Sequence, residues 1–274
     1  MIFTKYINQF ERELIIKNYS QRSIECYKSC VNKYLNNFNQ YPERISKDEI
    51  KNYLLQQFKH NSPEHIVQVI SSLKKFYVLV INQPKKLDGI DNPKRHIKLI
   101  EPLSKEEILR LFSVIKNVKH LAIVKTIYYG GLRISELLNL KWSDLKRDRK
   151  LMLIRMAKGN KDRYVKLFPE VIEILEIYWR QYRTKEYIFS GQGSDQYSDS
   201  SIRQFLALYS QHARLSKKCN PHLLRHSLAT HFLESGVDIR YIQTYLGHKS
   251  SKTTERYTFV SNRNIAGLLS PLNA

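Results

Sequence analysis

The chain opens with apolar residues at helical spacing. Phe3, Tyr6, Ile7, Phe10 and Leu14 fall on one face of a first helix. The Ser20–Ser23 stretch breaks that run, and Ile24, Tyr27, Val31, Tyr34 and Leu35 mark a second. Ser46-Lys-Asp-Glu49 is a capping box ahead of Ile50, Tyr53, Leu54 and Phe58. Ser62 followed by Pro63 gives an N-cap and a proline at the first helical position, where its missing N–H costs nothing. That fourth helix carries Ile66, Val69, Ile70, Leu73, Phe76 and Tyr77. Four amphipathic helices in succession predict a small bundle. From Asn82 to Glu101 the period is lost: Pro84, Gly89 and Pro93 interrupt it, and Lys85, Lys86, Lys94, Arg95 and Lys98 make it basic.

A second, differently patterned part follows. Ser104-Lys-Glu-Glu107 is another capping box, leading into Ile108, Leu111, Phe112 and Ile115. A helix over about 120–129 stops at Gly130-Gly131, and Leu132–Leu140 predicts a third. Then the period changes to two. Residues 151–156 and 163–167 read as short strands around the turn Lys158-Gly-Asn-Lys161. Helices return at about 170–183 and 199–211, and another runs from Pro221 to Gly236. The fold expected is mainly α: an N-terminal four-helix bundle at 1–83, a basic linker at 84–101, and an α-rich domain with a small β-hairpin at 102–274. No segment precedes the first helix, so no separate arm-type domain is expected ahead of it.

Charge changes the picture more than composition does. Of 274 residues, 46 are Lys or Arg and 25 are Asp or Glu, a net charge of +21, while 42% are hydrophobic. That is enough apolar mass for a core, so the charge is not that of a disordered tail. Residues 1–100 carry +8 and residues 101–274 carry +13, so both parts face a polyanion. No apolar run reaches the roughly 18–20 residues of a membrane span. The first ten residues carry charge where a signal peptide would be apolar, so a soluble intracellular protein is expected. An anionic membrane surface is a poor partner, since no amphipathic Trp/Lys-rich helix is evident. Three cysteines, Cys26, Cys30 and Cys219, make no disulfide framework; Cys26 and Cys30 lie four apart on one helix and are expected to pack.

Candidate chemistry concentrates near the C-terminal end. On the helix opened by Pro221, residues His222, Arg225, His226 and Ala229 share one face, with Leu224, Leu228 and Phe232 on the core side. An arginine beside imidazoles near a helix N-terminus suits one phosphate. A zinc site is disfavoured: His222 and His226 have the spacing, but Leu223 stands where a metalloprotease helix needs glutamate. No metal or cofactor is expected. His231 falls on the apolar side, as a core residue would. Tyr257 is one of 18 tyrosines and needs context to stand out.

That context is the order of five motifs: Gly131-Leu-Arg133-Ile-Ser-Glu136-Leu, Lys158-Gly-Asn-Lys-Asp-Arg163, His222-Leu-Leu-Arg225-His-Ser-Leu-Ala-Thr-His231, Leu246-Gly-His248, and Tyr257-Thr. In this order they resemble the tyrosine recombinases, most nearly the Xer-type recombinases and short phage-type integrases, over nearly the whole chain. The resemblance implies a core-binding bundle followed by a catalytic domain. It implies a catalytic set of Arg133, Lys158, His222, Arg225, His248 and Tyr257. Arg133 and Arg225 would clamp the non-bridging phosphate oxygens, helped by a hydrogen bond from His248. Tyr257 would be the nucleophile, His222 its base, and Lys158, with Lys161 as local competitor, the acid for the leaving 5′-hydroxyl. Glu136 would orient Arg133 or cap its helix rather than touch DNA. The implied reaction is site-specific recombination of double-stranded DNA at inverted-repeat half-sites. It runs without a metal through a 3′-phosphotyrosyl link and a Holliday junction, in a tetramer, with room for a partner recombinase. Phe259 departs from the histidine usual at that position. A tail helix with Ile265, Leu268 and Leu269 would dock on a neighbouring protomer or on its own domain. Two alternatives stay open: a type IB topoisomerase-like relaxing enzyme, and a non-catalytic DNA-binding protein of the same fold.

Overall fold

The structure is a computed structural model and describes residues 3–38, 40–94, 101–155, 162–191 and 196–247. The chain divides into two compact units, Met1–Ile97 and Lys98–Ala274. Among the described residues there are eleven α-helices and one three-stranded sheet. None of these helices is long and apolar enough to cross a membrane.

The first unit holds α1 (Thr4–Ile16), α2 (Gln21–Asn37), α3 (Lys47–His60) and α4 (Pro63–Leu79). The starts of α2, α3 and α4 are those written in the sequence. Ser20, Ser46 and Ser62 each accept a backbone N–H of the first turn, and Glu49 returns the bond to Ser46. The apolar faces close on Phe10, Leu14, Val31, Leu35, Ile50, Leu73 and Phe76, all fully buried. Two buried tyrosines carry polar atoms into that core. Tyr77 donates to the Pro42 carbonyl at 2.9 Å, so Tyr34 donates to the Tyr77 hydroxyl at 2.8 Å. Burial pushes the Tyr77 phenol up to about 12.

The expected linker is partly built into this unit. A 3₁₀ turn covers Pro84–Leu87, and Leu87 and Ile90 are buried in the bundle's core. Their side chains anchor the start of a stretch whose prolines and charges alone suggested an open connection.

The second unit holds α5 (Lys105–Val114), α6 (Val118–Gly130), α7 (Ile134–Leu138), β1 (Leu145–Lys146), β2 (Leu151–Ile154), β3 (Arg163–Lys166), α8 (Pro169–Tyr182), α9 (Asp199–His212), α10 (Pro221–Glu234) and α11 (Ile239–Leu246). The sheet is antiparallel in the order β1-β2-β3, with Met152 opposite Val165 and Ile154 opposite Arg163. Three features depart from expectation. The helix expected at Leu132–Leu140 is the five-residue α7, because Arg133 is extended (φ −73°, ψ 153°) and stands before its first turn. Strand β1 was not foreseen; two residues are too few to show a period. β2 also ends at Ile154, leaving Arg155 of the expected strand outside it; Met156 lies outside the described residues.

Glycine matters most at Gly131, which ends α6 in the left-handed region (φ 57°). A Cβ there would stand 2.7 Å from Leu246 Cδ2, in the last turn of α11. Helix α10 is buried on nearly every side, with α6 and α11 packed against it. The expected polar face of His222, Arg225, His226 and Ala229 is therefore only partly open to solvent. His222 is exposed and His226 half-buried, but Arg225 and Ala229 are buried.

His231 is a satisfied core residue. Its Nε2 lies 3.0 Å from the Leu103 carbonyl and its Nδ1 2.7 Å from the Tyr128 hydroxyl. A carbonyl only accepts, so Nε2 carries the proton and Nδ1 accepts from Tyr128. A second ring proton would clash with the Tyr128 O–H. Burial, the largest cause, pushes the His231 pKa below its ordinary 6.5, against the opposing pull of Glu234. This group therefore contributes stability that is present above pH 6.5 and lost as pH falls through its folded value. Both tryptophans, Trp142 and Trp179, lie in the second unit, so their fluorescence follows its unfolding. In urea, His231→Gln should be less stable than the parent at pH 8, and the gap should shrink as pH falls below 6.5. A gap that stays constant from pH 8 to 5 would contradict the assignment.

Candidate active site

The site is built on a buried carboxylate. Glu136 sits in the first turn of α7, 8% exposed. Its Oε2 accepts the backbone N–H of Arg133 at 2.9 Å, which satisfies a free donor of the helix start. Its Oε1 accepts Arg133 Nη1 at 2.7 Å. Glu136 thus caps its helix and orients the Arg133 side chain at once.

Two more guanidinium groups converge on the same carboxylate. Arg163, the first residue of β3, donates from Nη1 to Oε1 and from Nη2 to Oε2, both at 2.9 Å. Arg225, from α10, places Nη1 3.8 Å from Oε2. Burial alone would raise the Glu136 pKa. The hydrogen bonds and charge of Arg163, then the N–H and charge of Arg133, bring it below the ordinary carboxylate value. The carboxylate is therefore ionised throughout the neutral range.

The three arginines also share a second set of acceptors, the last carbonyls of α11. Arg163 Nε donates to the Tyr245 carbonyl at 2.7 Å, Arg225 Nη2 to Leu246, and Arg133 Nη2 to Gly247 at 3.2 Å. Arg225 Nη1 donates in addition to the Gly131 carbonyl, at the end of α6. Helix C-termini leave carbonyls unpaired and carry partial negative charge, so three cations there satisfy both demands. Gly247 then turns left-handed (φ 64°) and releases the chain.

His222 stands one turn before Arg225, in the first turn of α10. Partial loss of hydration among the surrounding residues, then the charges of Arg203, Arg225 and Arg133, lower its pKa; Asp199 pulls the other way. The ring is held neutral and able to accept a proton at pH 7.

Of the residues singled out from sequence, the structure brings Arg133, Glu136, Arg225 and His222 together. Lys158, His248 and Tyr257, with Lys161, Phe259 and the tail residues Ile265, Leu268 and Leu269, lie outside the described residues. Among the described residues, no three His, Cys, Asp or Glu side chains group as metal ligands. One central residue carried no role in the sequence reading: Arg163 was quoted as the end of a motif. Its signal was the alternation of its strand. Arg163 points inward in phase with Val165 and Leu167, both 1% exposed, so its charge had to meet a buried partner.

Removing Glu136 tests how far the cluster depends on it. Glu136→Ala leaves Arg163 buried without its carboxylate. Urea unfolding followed by tryptophan fluorescence should show the second unit destabilised by about 3–5 kcal/mol. A loss below about 1 kcal/mol would mean that the carbonyls alone hold the arginines.

Comparison with known proteins gives the family. The phage integrase family profile matches residues 101–263, and the phage integrase N-terminal SAM-like domain matches residues 6–86. The tyrosine recombinase XerA of Thermococcus onnurineus is 31% identical over 261 residues, covering 93% of this chain and 90% of that protein. The crystal structure of XerA recombinase superposes with a TM-score of 0.55 at 30% identity, covering 93% of this chain and 92% of the other. A lambda integrase dimer bound to a COC′ core site shares the fold, with a TM-score of 0.76 at 17% identity and coverage of 91% and 96%. The chain belongs to the phage integrase, or tyrosine recombinase, family and is a site-specific DNA recombinase.

Proposed function

We propose that this recombinase exchanges strands by transesterification through Tyr257. The observation that carries the reading is the pairing of Arg133 and Arg225 on one carboxylate, with the neutral His222 beside them. A phosphodiester repels nucleophiles, and its transition state places more charge on the non-bridging oxygens. Two guanidinium groups supply fixed positive charge for those oxygens, so the chemistry needs no metal. His248 adds a hydrogen bond to the same phosphate.

A free phenol has a pKa of about 10, so Tyr257 must lose its proton as it attacks. His222 takes it. The phenolate oxygen bonds to phosphorus, the bond from phosphorus to O5′ breaks, and Lys158 gives O5′ its proton. The products are a 3′-phosphotyrosyl link and a free 5′-hydroxyl. Attack by the 5′-hydroxyl of another strand reverses the step and releases Tyr257, conserving the bond energy. Two such exchanges, with a Holliday junction between them, recombine two duplexes. Four protomers act on two sites, each an inverted repeat of half-sites, with or without a partner recombinase. Residues 1–83, extended by Leu87 and Ile90, serve as the core-binding domain. The rest of 84–101 is the basic connection, and 102–274 is the catalytic domain. The reaction takes place in the cytoplasm, on nucleoid DNA.

A site selected by the protein from a random duplex pool provides the substrate. A nicked copy incubated with the protein in EDTA should give a covalent adduct, and Tyr257→Phe should give none; an adduct with that variant would move the nucleophile elsewhere. Arg225→Ala should slow adduct formation by roughly 10²–10³-fold with duplex binding largely kept. Adduct formation should be flat through neutral pH and fall on the acid side, as His222 becomes protonated below its ordinary 6.5. Site-independent relaxation of supercoiled plasmid would instead favour a topoisomerase, and binding with no cleavage a non-catalytic protein.

A further inference from the structure

The cluster around Glu136 holds one more cation than the proposed phosphate chemistry uses. Three guanidinium groups face a single carboxylate, and they do not share it equally. Arg163 engages both oxygens as a fork, at 2.9 Å each, and the two side chains are 7% and 6% exposed. The Arg133 guanidinium makes one contact, and its side chain is 32% exposed. Arg225 stands off at 3.8 Å. A two-point fork in a dry setting is the strongest of these pairings.

Without Arg163, the carboxylate would draw its compensation from Arg133 and Arg225. Those two groups would then offer one net positive charge in place of two. A buried ion pair is a poor source of stability compared with apolar packing, so stability does not account for placing one here. Charge balance does. The position of Arg163 adds a second effect, since its Nε also holds the Tyr245 carbonyl at the end of α11.

We propose that Arg163 is a positioning residue of the recombinase. It neutralises Glu136, so that Arg133 and Arg225 keep two positive charges for one tetrahedral oxyanion. The inference rests on the reading of Arg133 and Arg225 as the phosphate clamp.

The test uses the full chain as parent, Arg163→Met, Arg163→Lys and Arg163→Met/Glu136→Gln. Two measurements are made on each: calorimetric binding of inorganic phosphate at constant ionic strength, and single-turnover adduct formation on the selected nicked duplex. Arg163→Met should weaken phosphate binding about tenfold or more. It should slow adduct formation on the order of 100-fold. The double variant, which removes the unpaired negative charge, should recover most of both losses. A merely structural role would leave the double variant no better than the single one, and that result overturns the proposal. So does parental phosphate binding and adduct rate in Arg163→Met.

If circular dichroism shows that Arg163→Met does not fold, Arg163→Lys decides. It keeps the charge and loses the fork, so it should stay within about tenfold of the parent in both measurements. A folded Arg163→Lys with a 100-fold loss overturns the charge argument. The two readings fail separately. A parent that binds phosphate in the Arg163-dependent way but forms no adduct sinks the Tyr257 chemistry alone. Phosphate binding unchanged in Arg133→Ala and Arg225→Ala sinks the clamp.

Discussion

One carboxylate shared by three guanidinium groups is the constraint on which the second unit's candidate site depends. Glu136 is buried, and an isolated buried charge is too costly to keep. It persists because Arg163 chelates it and Arg133 binds it from side chain and backbone. The same bonds tie together elements far apart in sequence. Arg133 stands at the start of α7, Arg163 opens β3 and Arg225 lies on α10. Moving any of them disturbs the acceptors of the others, so the cluster behaves as one unit.

The second acceptor set gives that cluster its direction. The Tyr245, Leu246 and Gly247 carbonyls end α11, and each takes one arginine. The end of α11 is therefore fixed against the same cations that the proposed reaction sets on the phosphate. Gly131 makes the approach possible from the other side: its left-handed turn leaves no Cβ in the way of Leu246. His222 gains its properties from the same neighbourhood. Lost hydration and nearby guanidinium groups both disfavour its cation, which suits a base at neutral pH.

The first unit is simpler and more local. Helices α2, α3 and α4 start where serine caps stand in the sequence, and its core is self-contained. The notable polar feature is the Tyr34–Tyr77–Pro42 chain of hydrogen bonds, fully satisfied within the bundle. Its charge, like that of the second unit, is positive, and charge of this kind positions a protein on phosphates without reading bases.

Sequence alone determined what depends on neighbours along the chain. Helix starts follow from a serine and the N–H groups three residues on, and helix faces from a period of 3.6. Motif order carried the family resemblance, and through it Arg133, His222 and Arg225. The tertiary structure decided what depends on partners far away in sequence. The wheel of α10 suggested a polar face, but the ends of α6 and α11 take up Arg225 on it, so Arg225 is buried while His222 stays exposed. Arg133 stands ahead of α7 because Glu136 caps it there. Arg163 read as the edge of a turn motif until β3 turned it inward onto Glu136, 27 residues earlier. The carbonyls of α11 are main-chain atoms, identical at every residue, so no side-chain pattern marks them as the arginines' partners. Local hydrogen bonding and periodicity are written in the order of residues, whereas the sharing of one buried charge among three distant cations exists only once the chain has folded.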